Sequence, residues 1–386
     1  MTHPEAIRQV LVDDHEQYVK GEMPNDRLGS LLGDGLFLAE GDAWQRQRRA
    51  MQPAFFREQI EGYGESVVDH TRAVTDGWDD GETVAIDEVA STLTLRVLAS
   101  TLLGIDAEAE RETVRRAATA ITQRYDTARL GSYLPEWLPT PTNRRYRRSL
   151  SDLHDLVDRE VAARRSAGGQ PGDLLSMLVA ASDEGAIDDD TLRGNVVTFL
   201  FAGHETTALG LTYTLYLLAT QPATQRRLRD RLDATLDGEP TPADLRNLPL
   251  LAAVIDESLR LYPPVYTFFR EPTADVTLRG YRVPEGSVIS LPQCVVHRDE
   301  RWWDDPDSFN PDRWLGETDR PEYAYFPFGG GPRHCIGMRF ARLELRLAVA
   351  VLLASFRFEA VTESLSRTAS ANAKPTEPVV LRVRKR

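Results

Sequence analysis

Apolar residues recur at helical spacing over most of the first two-thirds of the chain. The pattern predicts helices at 64–78, 87–103, 144–165 and 192–220. A proline-rich stretch, Pro135–Pro141, separates the second of these from the third and marks a break in the helical pattern. The chain therefore begins with a large helical region.

The segment 192–220 is apolar enough to raise the question of a membrane span. Asn195, His204 and Glu205 interrupt it, and such polar residues are costly inside a bilayer. We predict a buried central helix of a globular protein instead. Another apolar helix is predicted to follow Cys335 and to run to about Ser355.

The pattern changes after Pro264, where apolar and polar residues alternate in short runs around glycine and proline turns. This alternation is typical of strands, and it is confined mainly to the last third of the chain. The predicted fold class is α+β, mainly α, with a large helical body and a small sheet-rich region. The predicted strands are 276–278, 281–283, 288–291, 356–360 and 379–383.

Composition narrows the function classes. The 386 residues carry a formal net charge of −13, which argues against nucleic-acid binding. The two cysteines, Cys294 and Cys335, lie far apart, which favours a reducing compartment over a disulfide framework. Residues 1–20 are interrupted by charges and show neither a signal peptide nor a membrane anchor, so we expect a cytoplasmic protein.

The segment Phe328–Gly337 reads FGGGPRHCIG and places one cysteine between a glycine-proline loop and a predicted helix. A helix N-terminus favours negative charge, and glycines let backbone N–H groups approach a sulfur. Cys335 therefore suits a deprotonated ligand of a soft metal. The alternative is a buried structural cysteine in a glycine-rich turn, which ten specified positions disfavour.

This segment resembles the haem-binding signature of the cytochrome P450 family. The resemblance implies the cytochrome P450 fold over a single domain, 1–386, and haem b with the Cys335 thiolate as axial ligand. Such a thiolate pushes electron density onto the iron and favours O–O cleavage. The matching positions are Phe328, Gly329, Gly331, Arg333, Cys335 and Gly337.

A second motif, Ala202–Thr207, lies in the middle of the predicted central helix. Glycine and paired threonines weaken a helix interior, and an acid beside a hydroxyl can deliver protons. By resemblance, Thr206 and Glu205 are catalytic, and Ala202 and Gly203 lie over the haem. The alternative is a helix–helix contact through small residues, with Glu205 reaching solvent.

A third motif pairs Glu257 with Arg260 at i and i+3, on one helix face. On the surface of a protein such a pair would contribute little to stability and would not indicate a function. The family, however, joins its E-x-x-R pair to an arginine from a Phe-x-Pro-x-Arg segment, which here is Arg313, so the three imply a structural network. The nearby His297–Asp299 has no second His or Cys spaced to complete a metal site, and we interpret it as a turn.

Scattered basic residues could meet the two haem propionates, which need cationic or hydrogen-bonding partners. Trp44 and Arg48 are spaced i and i+4 on a predicted helix and resemble the family's W-x-x-x-R. Arg270 and Arg333 match family arginines near the E-x-x-R helix and in the cysteine signature. Each alone would be an exposed arginine; the set in its correct order favours cofactor binding.

The chain departs from the family pattern at its start. Family members usually carry several tens of residues before the segment that His3–Ile7 resembles. We therefore expect a fold that lacks the usual N-terminal helix and first strands.

The expected function is a haem-thiolate monooxygenase that inserts one atom of O2 into an apolar C–H bond. The substrate is a small lipophilic molecule, such as a fatty acid, terpenoid or carotenoid, bound among Phe199, Val265 and Phe268. The alternatives are a peroxygenase or isomerase on the same scaffold, and a haem-binding sensor. No flavin or nicotinamide fingerprint is present, so we expect a ferredoxin and its reductase as electron donors. Their predicted docking residues are Arg46, Arg49, Arg339, Arg342 and Arg346.

Overall fold

A computed structural model describes residues 1–21, 28–29, 31–105, 110–124, 134–167, 172–369 and 372–386. Helices form most of this structure, and short antiparallel strands form small sheets, which confirms the predicted mainly helical α+β class. The helices are α1 Pro4–Arg8, α2 Gly41–Met51, α3 Arg57–Gly62, α4 Gly64–Thr75, α5 Ile86–Thr101, α6 Arg111–Arg124, α7 Pro141–Ala167, α8 Leu174–Asp183, α9 Asp189–Thr220, α10 Pro222–Thr235, α11 Pro249–Leu261, α12 Gln293–Val296 and α13 Met338–Ser355.

The central helix is α9, which packs against α5, α11 and α13. It begins three residues before the predicted start because the Asp188 carboxylate accepts the N–H of Thr191 at 2.8 Å and caps the helix. Its residues are buried on nearly all sides, which explains why apolar residues cover its whole circumference. None of the helices in the described ranges has the length and apolarity that crossing a bilayer requires.

The strands form two three-stranded sheets, ordered β1–β3–β6 and β2–β10–β7, and two hairpins, β4–β5 and β8–β9. Every pairing is antiparallel. All five predicted strands are confirmed, two of them with shifted ends, whereas β1, β2, β3, β8 and β9 were not predicted. The strands are β1 Tyr18–Val19, β2 Thr83–Ala85, β3 Phe268–Pro272, β4 Val276–Leu278, β5 Tyr281–Val283, β6 Ile289–Leu291, β7 Phe356–Ala360, β8 Arg367–Ala369, β9 Ala373–Pro375 and β10 Val380–Lys385.

The N-terminal residues pack onto the first of these sheets. Ile7 of α1 is fully buried in a small apolar core with residues of β4 and β6, and Tyr18 of β1 pairs with Pro272 of β3. The Met1 amino group donates to the carbonyl of Ser290 at 2.8 Å. This packing brings residues 11–20 next to the cysteine loop, which is far away in sequence.

Candidate active site

The cysteine loop is held by backbone contacts that require glycine. Gly329 and Gly331 have φ angles of +75° and +63°, which L side chains rarely adopt. A Cβ on Gly331 would lie 1.8 Å from the carbonyl oxygen of Leu11, so the N-terminal segment closes tightly over the loop. The Cys335 N–H donates to the Phe328 carbonyl at 2.9 Å, and α13 begins three residues later, as predicted.

The Cys335 thiol is surrounded by protein atoms but keeps accessible surface. This burial raises the pKa of the Cys335 thiol, while the Gly337 N–H and the Arg48 charge lower it. Its surface nevertheless remains open to a water-sized sphere. A backbone N–H and a cation directed at the sulfur are the contacts that stabilise a thiolate.

Four cations gather beside this loop. Burial first, and then the charges of Arg333 and Arg270, lower the pKa of Lys20 to about 7. Burial and Arg333 likewise lower the pKa of Arg270 to about 10, and Arg48 completes the set. Glu40 offsets part of this charge because it forms an ion pair with Arg333 and accepts the Lys20 N–H at 2.9 Å. The cluster has an excess of positive charge, which fits a ligand with more than one carboxylate.

Trp44 and Arg48 lie on one face of α2, as predicted, and both contact the cysteine loop. The Arg333 guanidinium stacks over the Trp44 ring at 4.8 Å. Arg48 donates to the His334 carbonyl at 2.9 Å, and its second nitrogen is 3.2 Å from His334 Nε2. The His334 ring also lies 2.9 Å from the Gly331 carbonyl, so its contacts are within the same loop.

Two buried amides that the sequence did not reveal fix α2 against α9. Asn195 is fully buried and donates to the Gln47 side chain at 3.0 Å. Its oxygen accepts the N–H of Leu36 at 2.8 Å. Because Gln47 adjoins Arg48, this contact sets the position of the predicted propionate partner.

The middle of α9, at the predicted motif Ala202–Thr207, is less buried than the rest of the helix. Residues 201–203, 205 and 206 are partly open, whereas the turns on either side are buried. The Thr206 hydroxyl donates to the Ala202 carbonyl at 2.7 Å, and Thr207 donates to Gly203 at 2.9 Å. These bonds occupy the hydroxyl protons and leave the oxygens available as acceptors.

Glu205 is only partly exposed, because two side chains from the C-terminal part of the chain contact its carboxylate. Its carboxylate accepts the Asn372 amide at 2.7 Å and lies 3.7 Å from Lys374 Nζ. Asn372 directly precedes β9 and Lys374 lies on it, and no feature of the sequence linked either to α9. The hairpin β8–β9 therefore holds the predicted catalytic acid.

The predicted Glu257–Arg260–Arg313 network is present and buried. Arg260 Nε and Nη2 donate to the two Glu257 oxygens at 2.9 and 2.8 Å, and both side chains are fully buried. Arg313 Nε and Trp314 Nε1 add bonds of 3.0 and 2.8 Å to the same carboxylate. Burial alone would raise the pKa of Glu257, but these donors, Arg260 foremost, hold it below its usual value.

His297 joins this network to the cysteine loop. The predicted turn exists, but its histidine is fully buried, which no sequence pattern indicated. The His297 carbonyl accepts from Arg260 at 2.8 Å, and its Nε2 accepts the Phe326 N–H at 3.0 Å, two residues before Phe328. The arginine network therefore positions the first residues of the cysteine loop.

Two further expectations need correction. Phe199 is buried and stacks on Phe55 with ring centroids 5.7 Å apart, so it cannot line an open space; Phe201 has the accessible surface. Arg342 is not a free docking cation because its guanidinium lies 2.8 Å from Asp256 and over the Phe328 ring.

A cleft of about 910 Å³ lies between the loop before α2 and the start of α9. None of the predicted catalytic or cofactor-binding residues lines it, although the predicted docking residue Arg46 does. The groups suited to binding a cofactor lie instead around the cysteine loop and the middle of α9. A thiol supported by a backbone N–H, an excess of cations beside it and an opened face of α9 fit a flat apolar group with carboxylates and a soft metal. Haem has these properties.

Comparison with known proteins agrees with this geometry. The family model for cytochrome P450 matches residues 1–381. The chain is 38% identical to cyclooctat-9-en-7-ol 5-monooxygenase of Streptomyces melanosporofaciens, over 93% of this chain and 80% of the relative. It is 37% identical to pentalenene oxygenase of Streptomyces avermitilis, over 92% and 80%. Cyclooctatin synthase of Streptomyces melanosporofaciens is 34% identical, over 93% and 80%.

Proposed function

The chain belongs to the cytochrome P450 family of haem-thiolate monooxygenases, and from this premise we propose that it hydroxylates a small terpenoid-like molecule with electrons from a ferredoxin. Members of the family are oxidoreductases that place one oxygen atom of O2 in the product and need a redox partner. We further propose that residues 1–386 act as one haem-binding domain.

The observation that carries the assignment of the site is the enclosed Cys335 thiol, which receives the Gly337 N–H and faces the Arg48 charge. We assign Cys335 as the axial ligand on this basis. Arg48, Arg270 and Arg333 are assigned to the propionates because they form most of the neighbouring cation cluster. Trp44 orients Arg333, and the glycines of the loop keep the space beside the sulfur open.

Haem would supply the iron at which O2 is activated. The chain supplies the side chains that deliver protons and those that hold them in position. The Thr206 oxygen accepts a hydrogen bond from a water because its own proton is bound to the Ala202 carbonyl. Glu205 relays protons from solvent to that water, taking up one proton for each that it delivers. Asn372 and Lys374 fix the carboxylate during this exchange, so they act as positioning residues.

The substrate class rests on the relatives and on the opened part of α9. Two of the Streptomyces relatives are named for the oxidation of cyclooctat-9-en-7-ol and of pentalenene. Phe201, Val265 and Phe268 offer partly open apolar surface suited to a hydrocarbon skeleton. We therefore narrow the expected lipophilic substrate to a terpenoid.

The ferredoxin is proposed from the charge beside the cysteine loop. Arg46 and Arg49 of α2 and Arg339 of α13 are exposed on the two helices that adjoin that loop. They offer a local basic surface on an acidic protein, to which a small acidic partner would be steered. Arg342 is excluded from this surface by its ion pair with Asp256.

The experiment is a turnover assay of the purified haem-loaded protein with candidate cyclic terpenes. We expect product with O2, NADPH, a ferredoxin and its reductase, and a shift of the spin state when substrate binds. Turnover with hydrogen peroxide alone, and none with the electron-transfer chain, would establish a peroxygenase. A haem spectrum that no terpene perturbs, without turnover in either assay, would point to a sensor.

A further inference from the structure

A pocket of about 280 Å³ lies between α10 and β7, beside the end of α9. Strand β7 is at the edge of its sheet, and α10 covers the side of the strand that pairs with no other strand. Three arginines and one glutamate form the charged part of the lining. We call this the α10–β7 pocket, and these residues are Arg226, Arg229, Arg357 and Glu359. None of the residues assigned to haem, proton delivery or substrate lines it, so the active site does not account for its arginines.

A buried amide joins the two walls of the pocket. Gln225 is almost fully buried, and its Nε2 donates to the carbonyls of Leu218 and Phe358 at 2.9 Å each. Its Oε1 accepts the N–H of Phe358 at 2.9 Å. These three bonds connect the end of α9, α10 and β7, so the shape of the pocket is set before a ligand enters. A preformed pocket loses less conformational freedom on binding than a mobile surface does.

The charge of the pocket is only partly compensated by the protein. The Glu359 carboxylate accepts the Arg357 guanidinium at 2.6 Å and the Arg384 Nε at 3.4 Å, so this acid is already paired. In the part of the chain that the structure describes, neither Arg226 nor Arg229 forms an ion pair or a hydrogen bond through its side chain. The pocket therefore holds two guanidinium groups without a counter-ion.

Arg229 shows most clearly that an acceptor is missing. Its Nε is buried and has no hydrogen-bond partner among the described residues. Asp233, on the same helix, accepts two bonds from Arg386 at 2.8 and 2.5 Å. Burial, and then the charge of Arg386, lower the pKa of Arg229, whereas Asp233 raises it. A buried N–H without an acceptor is unfavourable, and an anion in the pocket would supply one.

We propose that the α10–β7 pocket binds a small phosphate monoester that carries a hydroxyl group. A phosphate monoester has a charge of about −1.5 to −2 at pH 7, which two free guanidinium groups balance. Each guanidinium can bind two phosphate oxygens through parallel N–H bonds. The Glu359 carboxylate keeps free lone pairs beside its bonds to arginine, so it can accept a bond from the hydroxyl of the ligand.

The size of the pocket limits the ligand to a short molecule. A volume of 280 Å³ corresponds to roughly nine molecules of liquid water and lies just below the ~300–1,000 Å³ of typical small-molecule pockets. The uncharged lining includes Ala219, Pro222, Phe358 and Ala360, which offer apolar contact to a carbon chain. This space suits a phosphate on a chain of a few carbons. The inference stands apart from the proposed function because it involves neither haem nor substrate.

The test is isothermal titration calorimetry of the haem-loaded protein with glycerol 3-phosphate, in phosphate-free buffer at constant ionic strength. We expect saturable binding at a single site, weaker binding of inorganic phosphate and no binding of glycerol. Arg229→Gln should weaken the binding of glycerol 3-phosphate by roughly 10- to 100-fold, as expected for the loss of a hydrogen bond to a charged group. Glu359→Ala should remove the preference for glycerol 3-phosphate over inorganic phosphate.

Matched variants separate the pocket from the net charge of the protein. Arg226→Gln/Arg229→Gln should abolish binding. The control Arg144→Gln/Arg147→Gln removes two exposed arginines of the same i,i+3 spacing from α7 and should bind as the wild type does. Ala360→Trp keeps every charge but fills the pocket, so it should also abolish binding. The carbon-monoxide spectrum of each variant should match that of the wild type, which shows that the haem-loaded fold is intact.

Several outcomes would overturn the proposal. They are no heat of binding in the wild type, equal weakening in the two arginine double variants, and unchanged binding in Ala360→Trp. Equal affinity for inorganic phosphate would assign the pocket to the free ion and refute the ester. Slower reduction by ferredoxin in Arg226→Gln/Arg229→Gln, together with no phosphate binding in the wild type, would assign these arginines to the electron donor instead.

Discussion

Replacing Glu257 by glutamine should strongly destabilise the fold while leaving side-chain volume unchanged. The carboxylate accepts two bonds from Arg260 and one each from Arg313 and Trp314, and Glu257 and Arg260 are fully buried. Glutamine keeps the shape but removes the negative charge that compensates Arg260. The substitution therefore leaves a buried guanidinium without a counter-ion.

The expected loss is about 3–5 kcal/mol, the usual cost of removing one partner from a buried ion pair. Adding the energies of the individual hydrogen bonds would give a larger loss. The substitution, however, also removes the desolvation cost of burying the Glu257 charge, and this offsets much of that sum. The ratio of folded to unfolded protein should fall by roughly a hundredfold to a few thousandfold. Because the network holds Phe326 through His297, the variant should also lose haem faster.

The assay is urea unfolding of the haem-loaded protein, followed by far-ultraviolet circular dichroism and by haem absorbance. The matched control is Glu112→Gln, which breaks a pair with Arg115 of the same i,i+3 spacing in which the two side chains are more than half exposed. The control should change the free energy of unfolding by less than about 0.5 kcal/mol. Equal effects of the two substitutions would refute the role of the buried network.

Other sites give predictions of different kinds. Burial lowers the pKa of His297 to about 3. The stability that its neutral form confers is therefore complete above pH ~6.5 and is lost as the pH falls toward 3. In urea unfolding between pH ~6 and pH ~4, His297→Asn should reduce the pH dependence of the free energy of unfolding by about 1.4 kcal/mol per pH unit. Lys374→Met should divert electrons to hydrogen peroxide by releasing Glu205, whereas Lys374→Arg should retain coupling, measured as peroxide formed per NADPH consumed. Gly331→Ala should prevent haem-loaded folding because its Cβ would collide with the Leu11 carbonyl, measured as haem retained on purification.

Each of these has a contradicting result. A pH slope unchanged in His297→Asn would show that another group dominates acid unfolding. Equal peroxide formation in both Lys374 variants would remove the positioning role of that residue. Gly316→Ala, where no atom lies within 4 Å of the new Cβ, should retain haem fully; equal haem retention in Gly331→Ala would mean that the loop is not closed by residue 11.

The sequence predicted those features of the fold that depend on interactions between residues close together in the chain. The hairpin at 276–283 was predicted to the residue because alternation and a glycine turn set both strand ends. The length of α9 followed from its long apolar segment, and its start differed because Asp188 adds a cap. The pairing of Glu257 with Arg260 followed from helical spacing alone.

Long-range packing decided what the sequence could not predict. Lys20 and Glu40 reach Arg333 from about three hundred residues away, so no spacing rule links them. Asn372 and Lys374 hold Glu205 through a hairpin whose strands are three residues each, too short for an alternating pattern to show.

The central claim is that the thiolate of Cys335 binds haem iron. Its most direct test is the absorption spectrum of the reduced, carbon-monoxide-bound protein, compared with that of Cys335→His. The wild type should show the red-shifted Soret band of thiolate-bound haem, and Cys335→His should retain haem but lose that shift. An unshifted band in the wild type, or the same band in both proteins, would contradict the account.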